Sequence, residues 1–329
     1  MPRIVRIHEN GGPEVLRIED VEVPPPGPGE IALQVKALGL NRAESMFRSG
    51  HYVESPVFPA RLGYEAAGIV SALGAGVTNV AVGDHVSVIP PLSITRWGMY
   101  GEVATVPAEM AVKHPASLSW TEAAAIWMQY VTAWGALIDI AKLRAGDAVI
   151  ITAASSSVGL AAIQIAKMVG ATSIATTRTR AKQDALLAAG ADYVIATAEE
   201  DLVARVREMT GGKGARVAFD PIVGATFAQL AEAMGEGGIL FEYGALSDEP
   251  AAFPLFPILS KGLTVHGYQY KQIVRDPERL ARARKFVLDG LASGGLTPVV
   301  DKVFSLDQIV EAHRYLESNQ QFGKIIVVV

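Results

Sequence analysis

A turn rich in small residues offers the most specific chemistry in the sequence. Ala154, Ser156 and Gly159 occupy the three positions of a G-x-G-x-x-G pattern, with only the last glycine kept. Small residues at such a turn let backbone N–H groups approach a pyrophosphate at a helix start, although they also serve simple packing between strand and helix. The turn opens the first of four consecutive strand–helix units, which favours a dinucleotide site. Its predicted phosphate contacts are Ser156, Ser157, Val158 and Gly159.

The end of the next strand indicates which dinucleotide binds. An NAD site usually carries Asp or Glu there, which accepts hydrogen bonds from the ribose hydroxyls. This sequence has no acid there, and the cations Arg178, Arg180 and Lys182 follow Thr177. Cations suit a 2′-phosphate, so the predicted cofactor is NADPH, bound by Thr177, Arg178 and Lys182. The alternative is a solvated helix start, but cations are mildly unfavourable at that end of a helix.

Strands and helices alternate strictly around the turn. Apolar strands joined by helices predict a parallel sheet covered on both faces, in the doubly wound dinucleotide-binding α/β architecture. The predicted strands are 148–153, 172–177, 193–196, 216–220 and 238–243, and the predicted helices are 157–169, 181–189, 199–210 and 225–234.

The two ends of the chain have a different sequence pattern from the central strand–helix region. Before residue 120, short strands are punctuated by glycine and proline, which suits an all-β, barrel-like module. Ser119 and Glu122 have capping-box spacing, and a helical run continues to about Ala141. The C-terminal tail is predicted to pack back on the first module. We therefore predict a Rossmann domain at 121–268 and a discontinuous second domain formed by 1–120 and 269–329.

Composition excludes several classes of protein. The 329 residues carry a net charge of −5, so the basic excess typical of duplex-binding proteins is missing and no nucleic-acid partner is expected. The absence of cysteine excludes disulfides, thiolate nucleophiles and Cys-ligated zinc. The uncharged stretch 148–166 is interrupted by three serines and is interpreted as a buried strand and helix rather than a membrane span. Without a secretory leader pattern at the N-terminus, a cytoplasmic location is expected.

Several segments together resemble one known family. The chain is similar throughout to the medium-chain dehydrogenase/reductase superfamily, in its zinc-independent quinone oxidoreductase-like branch. The resemblance implies a GroES-like β-barrel catalytic domain beside the Rossmann domain. The segments that carry it are GYEAAGIV at 63–70, VGDHV at 82–86, the turn at 153–159 continuing into LAAIQ, GADYVI at 190–195, and Phe219-Asp220 with Gly224.

The departures from the zinc enzymes of the superfamily concern the metal ligands. Zinc alcohol dehydrogenases have Gly-His-Glu where this chain has Gly63-Tyr64-Glu65, and a cysteine near the position of Asn41. Their structural zinc lobe is reduced here to the stretch around 92–101. No metal site is therefore expected.

The resemblance also implies site residues. Asn41, Tyr52 and Tyr64 correspond to cleft positions and are the candidate catalytic residues, as hydrogen-bond donors to a carbonyl or as supports for the nicotinamide. The alternatives are that Asn41 caps a helix beginning at Arg42 and that the tyrosines form a wall. The cofactor positions implied by the resemblance are Gln129, Thr132, Gly244, Ala245, Phe322 and Lys324, the last two within a segment that is otherwise an ordinary edge strand.

These observations predict an NADPH-dependent reductase of quinones or of activated α,β-unsaturated carbonyls that uses no metal. An alkene reductase specific for enones and enals, and a non-catalytic NADPH-binding protein, remain alternatives. A homodimer is expected through the predicted edge strand 263–268, because an unpaired strand edge invites a second copy and members of the family commonly pair this way.

Overall fold

The structure is a computed structural model that describes residues 1–329. The chain forms two compact units. Residues 1–128 and 298–329 form the first, called here the barrel unit, and residues 129–297 form the second, called the Rossmann unit.

The barrel unit is built on two sheets. A three-stranded antiparallel sheet has the order β2-β1-β4, and a seven-stranded sheet has the order β15-β16-β3-β5-β6-β8, with β7 also paired to β3. Its strands are β1 (Arg3–Ile7), β2 (Arg17–Asp20), β3 (Glu30–Gly39), β4 (Ala60–Arg61), β5 (Ala66–Leu73), β6 (His85–Val88), β7 (Val103–Pro107), β8 (Ala111–Lys113), β15 (Val300–Ser305) and β16 (Lys324–Val328). Its helices are α1 (Arg42–Ser49), α2 (Trp120–Ala123) and α11 (Ile309–Glu317).

The Rossmann unit contains a six-stranded, wholly parallel sheet of order β11-β10-β9-β12-β13-β14. The direction of winding reverses between β9 and β12, which is where ligands bind in doubly wound folds. The strands are β9 (Ala148–Ile151), β10 (Thr172–Thr177), β11 (Tyr193–Ala196), β12 (Ala215–Asp220), β13 (Met234–Glu242) and β14 (Thr264–Gly267). The helices are α4 (Ser157–Met168), α5 (Gln183–Ala188), α6 (Leu202–Met209), α7 (Thr226–Ala233), α8 (Leu255–Lys261), α9 (Lys271–Val274) and α10 (Pro277–Ser293).

The core of the Rossmann unit explains why alternating apolar strands and helices in the sequence predict a parallel sheet. Ile150, Ile174 and Ile195, from three adjacent strands, are fully buried and share one cluster with Val206 and Leu230 from the covering helices. A strand covered on both faces needs apolar side chains on both, and the sequence shows them as short unbroken runs.

The boundary predicted at residue 268 differs from the observed division of the chain. Residues 269–297 belong to the Rossmann unit. Arg279 and Arg282 on α10 both bind the carboxylate of Asp139, at 2.6 and 2.9 Å, and this carboxylate lies in the same unit. The ion pairs join elements about 140 residues apart in the chain, so the pattern of apolar residues did not indicate them.

The helical run predicted from Ser119 to Ala141 is interrupted. The Ser119–Glu122 capping box forms as predicted and starts α2, but α2 ends at Ala123, and a separate helix, α3 (Trp127–Trp134), follows. The break arises because the carboxylate of Glu65 accepts the backbone N–H groups of Trp127 and Met128 at 2.5 and 3.2 Å, which makes a new helix start.

The structure contains no helix with the length and apolar character that a membrane crossing requires. The uncharged stretch 148–166 forms β9, the turn that follows it and most of α4.

Candidate functional site

The dinucleotide turn lies between β9 and α4. Ser156 is the N-cap residue of α4, and its hydroxyl accepts the N–H of Gly159 at 3.1 Å. A Cβ atom at Gly159 would lie 2.6 Å from both Cα and O of Ala154, so only glycine permits this close turn. The first N–H groups of α4, at Ser157 and Val158, have no partner within the helix and form a site suited to an anion.

The cations after β10 take distinct roles. The Arg178 side chain is exposed and makes no hydrogen bond or ion pair within the chain, while its backbone carbonyl accepts the N–H of Ala198 at 2.9 Å. Arg180 is held by Glu199, with Nε 3.1 Å from Oε2. The Lys182 ammonium donates to the Ser155 hydroxyl at 3.1 Å, which places it against the dinucleotide turn. Of the two predicted cation contacts, Lys182 reaches the turn and Arg178 is available to a ligand.

The remaining predicted cofactor residues of the Rossmann unit lie on two elements. Gln129 and Thr132 are buried on α3. Gly244 and Ala245 follow β13, and a Cβ at Gly244 would lie 2.8 Å from the Pro221 carbonyl oxygen. The backbone is therefore closely packed after β13, and contact of Gly244 and Ala245 with a cofactor stays a prediction.

The three candidate catalytic residues are brought together in the barrel unit. The Tyr64 hydroxyl donates to the Tyr52 hydroxyl at 3.2 Å, and their rings meet edge to face. Asn41 precedes α1, and its amide Nδ2 donates to the Gly39 carbonyl at 3.0 Å and to Glu44 at 3.2 Å. Burial raises the pKa of Tyr52, so its phenol stays a hydrogen-bond donor.

Glu44 connects these residues, and sequence reasoning missed it. Its fully buried carboxylate accepts the N–H of Asn41 at 2.7 Å and the N–H of Tyr64 at 2.8 Å. The Tyr100 hydroxyl also donates to Glu44, at 2.5 Å, and its oxygen lies 3.1 Å from His313 Nε2. The sequence does contain an indication of this role, because Glu44 lies three residues after Asn41, which is the spacing of a capping box.

His313 is neutral in this network. Burial, together with nearby Arg48, lowers the pKa of the His313 imidazole to about 3. A neutral imidazole can donate from Nε2 to Tyr100, and the Tyr100 hydroxyl then donates to Glu44. The network therefore holds the α1 start in place without adding a positive charge.

Lys324 lies in the barrel unit and is fully buried. Its ammonium is 2.6 Å from Glu65 Oε2 and donates to Asn41 Oδ1 at 2.7 Å. The Glu65 carboxylate in turn accepts the backbone N–H groups of Trp127 and Met128 at the start of α3. Phe322, two residues before Lys324 in the sequence, is half-buried. Cofactor contact by Phe322 and Lys324 stays a prediction, while the observed role of Lys324 is to neutralise Glu65 and orient Asn41.

The resemblance places Tyr64 where the zinc enzymes have a histidine ligand, and its side chain is completely buried. In residues 1–329, no group of three or more His, Cys, Asp or Glu side chains has an arrangement that could hold a metal ion.

Comparison with known proteins gives the family. Residues 27–116 match the model of the alcohol dehydrogenase GroES-like domain, and residues 157–289 match that of the zinc-binding dehydrogenases. Quinone oxidoreductase 1 of Escherichia coli K12 is 32% identical over 327 residues, covering 98% of each chain. The chain belongs to the quinone oxidoreductase family. This confirms the predicted family and the predicted fold class, a Rossmann domain with a GroES-like domain.

Solved structures agree with this assignment to the quinone oxidoreductase family. A crystal structure of Escherichia coli quinone oxidoreductase complexed with NADPH has a TM-score of 0.91 and 31% identity, covering 99% of this chain and 100% of that one. A structure described as an NAD-dependent alcohol dehydrogenase has a TM-score of 0.90 and 34% identity, covering 99% of both chains. The two relatives differ in cofactor and substrate, so the choice for this member depends on its own residues.

Proposed function

We propose that this protein is an NADPH-dependent reductase that transfers hydride to quinones or to activated α,β-unsaturated carbonyls without a metal. The observation that carries the proposal is the exposed, unpaired guanidinium of Arg178 at the end of β10, where an NAD site would have a carboxylate. Lys182, against the turn at Ser155, adds a second cation. The Escherichia coli relative crystallised with NADPH supports the same cofactor.

The residues of the Rossmann unit fit such a cofactor. The close turn at Gly159 leaves the N–H groups of Ser157 and Val158 for the pyrophosphate, and Arg178 and Lys182 suit the 2′-phosphate. When bound, NADPH supplies the hydride, and the protein provides orientation and exclusion of water.

The barrel unit supplies a hydrogen-bond donor to the substrate carbonyl. Both Nδ2 hydrogens of Asn41 are used, by Gly39 and Glu44, so Asn41 acts as a brace. The Tyr64 hydroxyl donates to Tyr52, which leaves the Tyr52 hydroxyl hydrogen for the carbonyl oxygen. Hydrogen-bond donors suffice for a quinone or an enone, which is more electrophilic than an isolated ketone.

A turnover screen tests this function. Protein dialysed against a chelator is mixed with NADPH or NADH and with 1,2-naphthoquinone, 9,10-phenanthrenequinone, an enone or a simple ketone. We expect NADPH consumption with the quinones or the enone, little with the ketone, and no loss of rate after chelation. Relative rates for the quinones and the enone separate quinone reduction from alkene reduction.

Two results of the screen would overturn the proposal. One is about one tightly bound zinc per chain with activity lost on its removal. The other is NADPH binding without turnover of any acceptor, which is the behaviour of a non-catalytic NADPH-binding protein.

We further propose a homodimer formed along β14. This strand ends the sheet and pairs only with β13, so its outer backbone groups are available to a second strand. The preceding helix α8 exposes Leu255, Phe256 and Leu259, which are 49%, 80% and 68% accessible. An apolar surface next to an open strand edge fits a second copy of the chain, because a twofold contact uses the same patch twice.

Light scattering at micromolar concentration is expected to give twice the chain mass of 34.8 kDa. Phe256→Glu combined with Leu259→Glu is expected to give the monomer, since charges would enter the apolar contact. Leu187→Glu, at an exposed leucine on α5, is the matched control and should leave the mass unchanged. A monomeric wild type would contradict the prediction.

A further inference from the structure

Two carboxyl groups meet at the carboxyl end of the parallel sheet. Asp220 and Glu242 are register partners on β12 and β13, so their side chains lie on the same face. Thr152, just after β9, donates its hydroxyl to Asp220 Oδ1, and the N–H groups of Ile222 and Val223 donate to the same carboxylate at 3.0 and 2.8 Å. Both side-chain oxygens of Glu242 are buried, and neither accepts a hydrogen bond from another group of the chain. The protein therefore stabilises a negative charge on Asp220 with three hydrogen-bond donors and provides none for a charge on Glu242.

This asymmetry decides which carboxyl carries a proton. Burial, reinforced by the neighbouring Asp220, raises the pKa of Glu242 to about 9. Burial raises the pKa of Asp220 as well, but its three donors favour the charged form. At neutral pH the neutral Glu242 carboxyl donates to Asp220, and its carbonyl oxygen remains an acceptor without a donor in the chain. A buried polar atom left without a partner calls for an explanation, and a bound ligand is one.

The position of the pair suggests that ligand. Thr152 immediately precedes the dinucleotide turn, and Gly244 follows Glu242 by two residues. The segment after β9 lies at the reversal of winding between β9 and β12, where dinucleotides bind in doubly wound sheets, and the segment after β13 lies one strand further along the same edge. Near the carboxyl ends of these strands, Tyr243 stacks on Phe219, and His266 is hydrogen-bonded to Gln272. The other titratable side chains at this edge are Tyr268, Asp248 and Glu249, while Arg216 on β12 and Glu236 on β13 lie towards the opposite ends of their strands.

We infer that the neutral Glu242 carboxyl, held by Asp220, accepts a hydroxyl of the nicotinamide-side ribose and that loss of its proton weakens cofactor binding. The inference rests on the proposed function, because it needs a dinucleotide on this edge. Ionised Glu242 would place a second negative charge beside Asp220, at the edge that receives a negatively charged pyrophosphate. The carboxyl is protonated well below pH 9 and loses its proton as the pH rises through about 9, so affinity falls on the alkaline side.

Equilibrium binding tests the inference without any turnover. Dissociation constants are measured by calorimetry for NADPH and for adenosine 2′,5′-bisphosphate, which lacks the nicotinamide half. Glu242→Leu is expected to weaken NADPH binding about tenfold, the effect of one lost hydrogen bond at the strong end of its range, and to leave bisphosphate binding unchanged. Glu236→Gln, at an exposed glutamate near the other end of β13, is the control and should change neither constant.

The pH dependence supplies a second readout. In the wild type, the dissociation constant for NADPH should rise about tenfold between pH 8 and pH 10, since only the protonated form binds well. Glu242→Gln keeps a neutral side chain and should bind normally at pH 8 but lose most of this rise. Thermal unfolding of each variant without ligand verifies that it is folded.

Three results separate the possible failures. If Glu242→Leu changes neither constant, or changes both alike, the inference is wrong. An equally steep pH dependence in Glu242→Gln would also overturn it and would assign the titration to another group, such as Lys182. If the wild type binds NADH and not NADPH, the cofactor proposal fails, and the same variants measured with NADH still decide the role of Glu242.

Discussion

Replacing Arg178 with alanine is expected to raise the Michaelis constant for NADPH by roughly ten- to a hundredfold. A guanidinium binds a phosphate through charge-assisted bonds of about 1.5–3 kcal/mol each, and 1.4 kcal/mol corresponds to a factor of ten. The Arg178 side chain is exposed and has no partner in the chain, so no internal interaction of the guanidinium competes with the ligand. The constant for NADH should scarcely move, and turnover at saturation should stay similar, because the 2′-phosphate is far from the transferred hydride.

The neighbouring cations provide the stricter variant and the control. Lys182 already contacts the turn, so the double variant Arg178→Ala with Lys182→Ala is expected to show the larger loss. Arg180→Ala is the matched control, because Arg180 is paired with Glu199 and should contribute little. Steady-state kinetics with both cofactors measures the effect. A wild type that prefers NADH, or a double variant that loses equally against both cofactors, would contradict the assignment.

The fold was largely predictable from local pattern. The strands at Thr172–Thr177 and Tyr193–Ala196 have the predicted bounds, because short apolar runs bounded by glycines and helices leave few alternatives. The break at Ala124 was not predictable. It depends on Glu65, about sixty residues away, capturing the N–H groups of Trp127 and Met128, and long-range contacts leave no periodic signal.

The distinction between local patterns and long-range contacts applies to the candidate site as well. Ser156 and Gly159 follow from turn chemistry, which is local. Glu44 could have been found from its spacing to Asn41. The acid pair of Asp220 and Glu242 required the register of β12 against β13, because neither residue lies in a motif that predicts a shared proton. Local patterns in the sequence therefore predict candidate ligand contacts, whereas the residues that hold them in place depend on long-range contacts that such patterns do not show.

Replacing Lys324 with methionine is expected to lower the free energy of unfolding by about 3–5 kcal/mol. The ammonium lies 2.6 Å from Glu65 Oε2, and both side chains are completely inaccessible to solvent. Removing one partner of a buried ion pair leaves the other charge uncompensated, which is the reason for so large an effect. Asn41 also loses the donor to its Oδ1, so the start of α1 is loosened at the same time. Urea denaturation followed by fluorescence measures the change.

A double variant separates the lost charge partner from lost packing. Adding Glu65→Gln to Lys324→Met removes the uncompensated charge while the amide oxygen can still accept the N–H of Trp127, so the double variant should be more stable than Lys324→Met alone. Lys113→Met, at an exposed lysine of the barrel unit paired with Asp84, is the control and should scarcely change stability. A Lys324→Met protein as stable as the control, with a raised Michaelis constant for NADPH, would instead support the cofactor contact predicted from the sequence.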